Sequence, residues 1–473
     1  MQKVIQKWKS LSPVAKTSLA LVIAKFFQKG LAFITSPIFT RIMPSSEYGI
    51  ISTFTSWQSV LYIIATLNMS SGVFNNGMID YKDDRESFIS SILGLANLCT
   101  LLFTIVYLVF QKQLNALLEL PQILIWIMIA YFFVTPAYNY WMGKQRFEYK
   151  YKAVLFLSIA SSLIPSVLAV VFVLIAPDSY KAIAKVSATE ISAILIGLVF
   201  YFYTISKAKI STAYWKYALK INLPLIPHYL SMYILSSSDR IMITKLVNTS
   251  ATAIYSVAYT TASVVLVFWN SVDSAYAPWI YQRMSEKKYA AIQKRGEEVI
   301  LLFALCAILI TLFAPELIMV LGPSEYYSGM YAIPPVVAGV FFTAVFTLYM
   351  RIELYLKKSK TIMVATVLAA AVNILLNAVC IPTFGYVGAA YTTLICYVLL
   401  AVFHAINLNR LGYGHVYNNK HIFGISAIVC IFIVSLSLTY SHTVLRYMLI
   451  AVMAVVLFIN RDKFVSLVKK ETK

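Results

Sequence analysis

Charge is scarce in this chain, and acidic charge is scarcest of all. Only 12% of its 473 residues are Asp, Glu, Lys or Arg, and 19 residues are acidic. Soluble domains are about a quarter charged and about half apolar. Here 60% of residues are hydrophobic and the mean hydropathy is +0.77. So much apolar surface could not be hidden from water in a chain of this length, which excludes an ordinary soluble protein and leaves lipid as the solvent. Cysteine is also sparse. Cys99, Cys306, Cys380, Cys396 and Cys430 all lie in apolar runs without a CxxC spacing, which excludes a disulfide frame and a thiolate metal site.

Signatures of catalysis are missing too. HExxH, GxSxG and a phosphate-binding Gly-rich loop do not occur, and the histidines are scattered. The SxxK match from Ser206 to Lys209 sits in a basic loop without companion motifs. The acidic cluster Asp80, Asp83, Asp84 and Glu86 is broken by Lys82 and Arg85 and has no binding-loop glycine. Both read as polar connectors, and the chain is expected to be no enzyme and to hold no metal or cofactor. The first apolar run, beginning near Thr17, is too long for a secretory leader and has no A-x-A-like exit; it reads as a spanning helix.

What the sequence does have is apolar runs of about 20 residues, the length that crosses a bilayer as a helix. They fall near 17–40, 47–69, 87–110, 121–142, 153–176, 182–205, 218–245, 250–280, 297–321, 329–350, 360–381, 386–408, 421–440 and 443–460. Continuous runs, rather than alternation over about ten residues, predict helices and not a barrel. The fold expected is an all-α polytopic membrane protein with about 14 spans.

The 39 basic residues give a net charge of +20, which in a soluble protein would suggest nucleic acid. Here the bases crowd the short segments between alternate spans. With the N-terminus inside, inner segments hold about five times as many Lys and Arg as outer ones. The excess reads as orientation against an anionic leaflet, with both termini cytoplasmic and no nucleic-acid partner. The polar stretch after six spans divides the chain into 1–205, a cytoplasmic linker 206–217, a second lobe 218–408, and a pair of further spans with a tail over 409–473. A weak internal likeness supports the division: Tyr140 to Arg146 and Tyr355 to Lys360 are both aromatic helix ends running into basic turns six spans apart.

Charge at membrane depth costs at least a few kcal/mol and is a functional hypothesis by default. Lys25 and Lys29 lie one turn apart on the first span, on a face shared with Ser36 and Thr40. Lys25 lies about 13 Å past the inner edge, at about 1.5 Å per residue. The pair reads either as a cationic cavity wall or as structural lysines reaching water. The seventh span carries Pro224, Pro227, His228, Ser231, Asp239 and Arg240. Asp239 and Arg240 diverge on the helix, so each needs another partner. They read as cavity residues or as an interhelical lock. On the eighth span Tyr255, Tyr259, Ser263, Asn270, Asp273 and Ser274 form a polar stripe. Asn373 and Asn377 read equally as helix glue. Glu190 and Asp273 are the candidate carriers of a coupling ion, H+ or Na+, since a carboxylate buried in lipid holds a proton readily.

Three stretches carry a resemblance. They are Ser36-Pro-Ile-Phe-Thr-Arg-Ile-Met-Pro with Glu47-Tyr-Gly-Ile, Asp239-Arg-Ile-Met-Ile with Ala253-Ile-Tyr-Ser-Val-Ala-Tyr, and Asn373-Ile-Leu-Leu-Asn377 through Ile381-Pro-Thr-Phe-Gly-Tyr-Val-Gly-Ala-Ala390. In this order the chain resembles Wzx-type polysaccharide repeat-unit flippases of the multidrug/oligosaccharidyl-lipid/polysaccharide exporter superfamily. The resemblance implies two six-helix lobes in a V shape, two extra C-terminal helices and alternating access in the bacterial cytoplasmic membrane. It implies an undecaprenyl-pyrophosphate-linked oligosaccharide as substrate, with a polysaccharide polymerase and assembly proteins as partners. Lys25, Lys29 and Arg240 are then the candidate cations of the cavity, with Asp239, Tyr259 and Asn270 beside them. A peptidoglycan-precursor flippase, a multidrug exporter and, in another class, a membrane polymerase are the competing readings.

Overall fold

The structure, a computed structural model, describes residues 13–206 and 210–459. The lysines at both chain ends, Lys207, Lys209 and the expected cytoplasmic termini lie outside the described residues. Among the described residues every regular element is helical: α1 (Pro13–Ile42), α2 (Ser45–Thr66), α3 (Val73–Asp80), α4 (Arg85–Val109), α5 (Gln111–Leu118), α6 (Gln122–Phe147), α7 (Tyr151–Ile175), α8 (Lys181–Ser206), α9 (Thr212–Asn222), α10 (Ile226–Leu246), α11 (Thr249–Ser285), α12 (Tyr289–Leu312), α13 (Ala314–Leu321), α14 (Ile333–Tyr355), α15 (Ser359–Arg410), α16 (Asn419–Ser435) and α17 (Thr443–Ile459). Each apolar run read from the sequence lies on one or two of these helices. Among the described residues nine helices are long and apolar enough to cross a membrane. A tenth span arises if α12 and α13, bent by 60° at their junction, count as one. This is an all-α polytopic membrane protein.

The composition explains why the helices are bundled as they are. Large apolar side chains such as Ile105, Phe156, Ile175, Val379 and Leu438 point outward, a surface that only lipid tolerates. Five prolines, Pro37, Pro136, Pro165, Pro278 and Pro382, sit inside helices. In a membrane the carbonyls they free must be satisfied locally.

The helix α15 runs for 52 residues, far longer than a membrane is thick. It is two spans. Gly385, at φ +61° and ψ −151°, breaks it in a backbone region open to almost nothing but glycine. The chain then folds back: the Thr392 hydroxyl donates to the Asn377 side-chain carbonyl across the turn. Gly388 tightens the return, since a Cβ there would lie 2.6 Å from the Cys380 carbonyl oxygen.

The chain forms two compact units, Met1–Ser237 and Ser238–Lys473, which divide inside α10. In the first unit the core lies between α2, α4, α6 and α8, around Phe54, Tyr107, Met128 and Phe132. A second cluster, around Phe74, Phe88, Ile92 and Tyr140, packs α3 and α4 against α6 and α9. Here α9, reached from the expected linker, is fastened to α4: Trp215 Nε1 donates to the Ser91 carbonyl at 2.7 Å. In the second unit α14 is the buried hub, sheathed by α11, α12, α15 and α16, and its side chains are apolar from Ile333 to Leu348 apart from Thr343 and Thr347.

Candidate functional site

One face of α6 is built differently from the rest of that span. Tyr131, Asn139, Gly143 and Arg146 recur at spacings of eight, four and three, which puts them in one stripe along the helix. Opposite them α2 presents Gln58, Ser59 and Tyr62, and the turn after α2 presents Asn68, Ser70 and Ser71. Together with Phe74, Asn75, Phe147 and Tyr233 they enclose a cavity of about 490 Å³ within the first unit. Tyr131 and Arg146 are 15 positions apart, so the cavity extends about 22 Å along α6 at 1.5 Å per residue.

Local packing fixes the lining. Gly143 is required where it stands, because a Cβ there would come 2.4 Å from the Phe74 ring. That ring stacks on Tyr140 with centroids 5.6 Å apart. Asn139 Nδ2 donates to the Tyr62 hydroxyl at 3.1 Å, and the Tyr62 ring meets Tyr131 edge-on at 6.3 Å. Near the C-terminal end of α6, Arg146 is the one charged side chain among the described lining residues. Its Nε donates to the Met142 carbonyl at 3.3 Å, and no carboxylate among the described residues pairs with it. At the far end Gln58 Nε2 donates to Glu190 Oε2 at 2.9 Å, placing a carboxylate of α8 just behind the wall. Amides, hydroxyls, aromatic faces and one guanidinium are a lining for a polyhydroxylated anion.

The second unit holds a polar centre of another kind. Asp239 is 1% exposed. Its Oδ2 accepts from the hydroxyls of Tyr255 at 2.6 Å and Thr393 at 2.7 Å, and its Oδ1 accepts from Asn377 Nδ2 at 2.7 Å. Asn373 extends the network, accepting from Ser238 Oγ at 2.9 Å and from Asn377 at 3.2 Å. The hairpin of α15 supplies Asn373, Asn377, Thr392 and Thr393 from its two arms, so the turn at Gly385 is what assembles this centre. Asp239 is satisfied by neutral donors and has no salt-bridge partner within contact among the described residues. Arg240 points elsewhere. Its guanidinium lies 4.5 Å from the centre of the Tyr259 ring and its Nε donates to Ser256 Oγ at 3.2 Å.

The other residues singled out in the sequence are distributed as follows. Lys25 and Lys29 are exposed on α1, and neither contacts a carboxylate among the described residues nor lines the cavity. On the same face Ser36 and Thr40, around Pro37, are buried. Asn270 and Ser274 are exposed, so the polar stripe of α11 enters the interior at Tyr255 and, half-buried, at Tyr259, Ser263 and Asp273. Asp273 is taken up by Arg351 of α14, which donates from Nε to Oδ1 at 2.9 Å and from Nη2 to Oδ2. The cavity-lining amides escaped sequence reading because it followed full charges. The signal was present as the Tyr131, Asn139, Gly143, Arg146 stripe, and Arg146 was absorbed into the count of inner bases. Also missed was a fully buried pair in which Glu353 accepts from Asn407 Nδ2 at 2.8 Å and meets His404 Nδ1 at 2.9 Å.

Comparison with known proteins bears on both units. Residues 14–284 match the sequence model of the polysaccharide biosynthesis protein family, and residues 224–379 match the MatE model. An uncharacterized membrane protein of Methanocaldococcus jannaschii is 28% identical over 200 residues, a stretch that covers 41% of this chain and 39% of that relative. Among solved structures the lipid II flippase MurJ, in an inward closed conformation, superposes with a TM-score of 0.66 over 93% of this chain and 99% of that one, at 14% identity. A multidrug resistance MATE family transporter of the MOP superfamily, inward-facing, gives 0.60 over 86% of this chain and 99% of that one, also at 14% identity. At that identity the likeness is one of fold.

Proposed function

The chain belongs to the polysaccharide biosynthesis protein family, and from that premise we propose that it is a flippase. It carries undecaprenyl-pyrophosphate-linked oligosaccharide repeat units from the inner to the outer leaflet of the cytoplasmic membrane, for capsule or another surface polymer. The observation that carries this reading is the cavity of the first unit: a chamber of about 490 Å³, walled by amides, hydroxyls and aromatic rings, inside a unit whose outer surface is apolar. Moving the head group means placing a diphosphate of about −2 charge and many hydroxyls at membrane depth, which is prohibitive without compensating polar partners. Arg146 offers a planar, permanently charged fork for phosphate. Tyr62 and Tyr131, both half-buried, offer faces for pyranose rings, and the polyprenyl tail stays in lipid. Lys25 and Lys29, on α1 outside the cavity lining, are further candidate cations for the diphosphate.

The coupling ion, H+ or Na+, belongs in this proposal to Asp239. Asp273 is already neutralised by Arg351. The partners of Asp239 are the hydroxyls of Tyr255 and Thr393 and the amide of Asn377; the hydroxyls can rotate and the amide can turn, so that their oxygens bind a cation beside the carboxylate. A peptidoglycan-precursor flippase is the nearest alternative, with the same chemistry in its head group; a multidrug exporter would have to dispense with the polar cavity wall.

Deleting the gene and analysing lipid-linked saccharides tests the proposal. Finished repeat units should accumulate on the inner leaflet, and the Arg146→Ala variant should reproduce at least a tenfold loss of export. Accumulation of unfinished units would mean a transferase instead, and finished but unpolymerised units on the outer leaflet would mean a polymerase.

A further inference from the structure

Charge is unevenly placed along the cavity, and this bears on which sugars can enter. Arg146 lies one residue from the end of α6, whereas Gln58 and Tyr131 lie deep in their spans. At the deep end the nearest ionisable carboxyl is Glu190, 2.9 Å from Gln58, on α8 nine residues from its start, or about 13 Å along the helix. Among the described lining residues no cation stands there; Gln58, Ser59, Tyr62, Tyr131 and Asn139 are all neutral.

From this we infer that the cavity selects lipid-linked saccharides whose sugars are neutral or basic, and rejects those bearing a carboxylate on the sugars beyond the diphosphate-linked one. The inference rests on the flippase reading and specifies its substrate class. A head group entering phosphate-end to Arg146 extends its sugars toward Gln58 and Glu190. Hydroxyls and acetamido groups find donors and acceptors in the amides of Asn139 and Gln58. A uronic acid would lose its water without gaining a cation. It would meet Glu190 behind the wall, which supplies no positive charge in either protonation state and repels the sugar when ionised. An amino sugar would be accepted, since the same carboxyl is a partner for its ammonium.

The test uses the full chain in liposomes and two synthetic probes. One is undecaprenyl diphosphate carrying two N-acetylglucosamine residues; the other has glucuronic acid as its second sugar. Wild-type protein should translocate the first at least tenfold faster than the second. Glu190→Gln should narrow that ratio, and Gln58→Arg, which puts a guanidinium at the same end, should narrow it further. Either variant suffices should the other fail to fold, and the wild-type ratio needs neither. Equal or inverted wild-type rates would overturn the selectivity and leave the flippase standing. Translocation of neither probe, nor of the neutral probe lengthened to a full repeat, would overturn both.

Discussion

A carboxylate held by a guanidinium and one held by hydroxyls respond differently when their surroundings change. Asp273 and Arg351 form a two-pronged pair between α11 and α14, with side-chain exposures of 15% and 24%. Removing one member strands the other charge in a largely buried site, whereas removing both leaves an apolar contact. Arg351→Met should therefore lower stability by roughly 3–5 kcal/mol, the usual cost of stranding a buried charge, and Arg351→Met with Asp273→Leu should recover most of it. Thermal unfolding in detergent measures both, and a double variant no better than the single would show that the pair contributes attraction beyond its desolvation. Asp239 is the opposite case. Asp239→Asn keeps the shape and lets the Tyr255 and Thr393 hydroxyls rotate to accept, so the fold should survive within about 1 kcal/mol. The proposed ion dependence should vanish, with transport in liposomes losing its response to a Na+ or proton gradient. A variant that still responds would move the coupling ion away from this residue.

At the scale of elements, the hairpin of α15 and the strap of α9 make separate demands. Gly385 holds a conformation that costs other residues about 1–3 kcal/mol, and Gly388 faces a backbone carbonyl that cannot swing aside. Gly385→Ala and Gly388→Ala should each lower the melting temperature, while Gly424→Ala, with open space around it, should be neutral or slightly stabilising. The strap is held by tyrosines. The Tyr214 hydroxyl donates to Asp84 at 2.7 Å and Tyr217 to Asp80 at 2.5 Å, with Tyr81 and Phe88 packed edge-on between them. The Asp84 hydrogen bond, with some burial, pushes the Tyr214 phenol up to about 12 from an ordinary value near 10. The folded value is raised, so this contact contributes fully below about pH 10 and is lost as pH rises toward 12. At pH 11 the phenolate absorbance of wild-type protein minus that of Tyr214→Phe should be close to zero. A difference equal to one free tyrosine would show the bond to be absent.

For the molecule as a whole, the apolar runs and the bias of the bases made the membrane fold legible, because lipid imposes helix length and composition directly. The break between the arms of α15 was readable at Ile381-Pro-Thr-Phe-Gly385. Asp239 was readable as an odd charge, and its ring of partners was not, since Tyr255, Asn377 and Thr393 converge only when the hairpin closes. The cavity was least legible: neutral side chains such as Asn139 or Gln58 in a span look like helix glue until their neighbours are known. Lys25 and Lys29 test how far the reading by charge holds. They stand exposed on α1 and meet no carboxylate among the described residues, so they carry a cost of insertion without an ion pair there to offset it. Replacing both with Ala should leave the protein folded and inserted, with a melting temperature unchanged or raised, because the face then matches lipid better. Surface-polymer export should nevertheless be abolished if these ammonium groups compensate the diphosphate in transit. Normal export from the double variant would assign that compensation to Arg146 and reduce the two lysines to passengers on the lipid-facing side of α1.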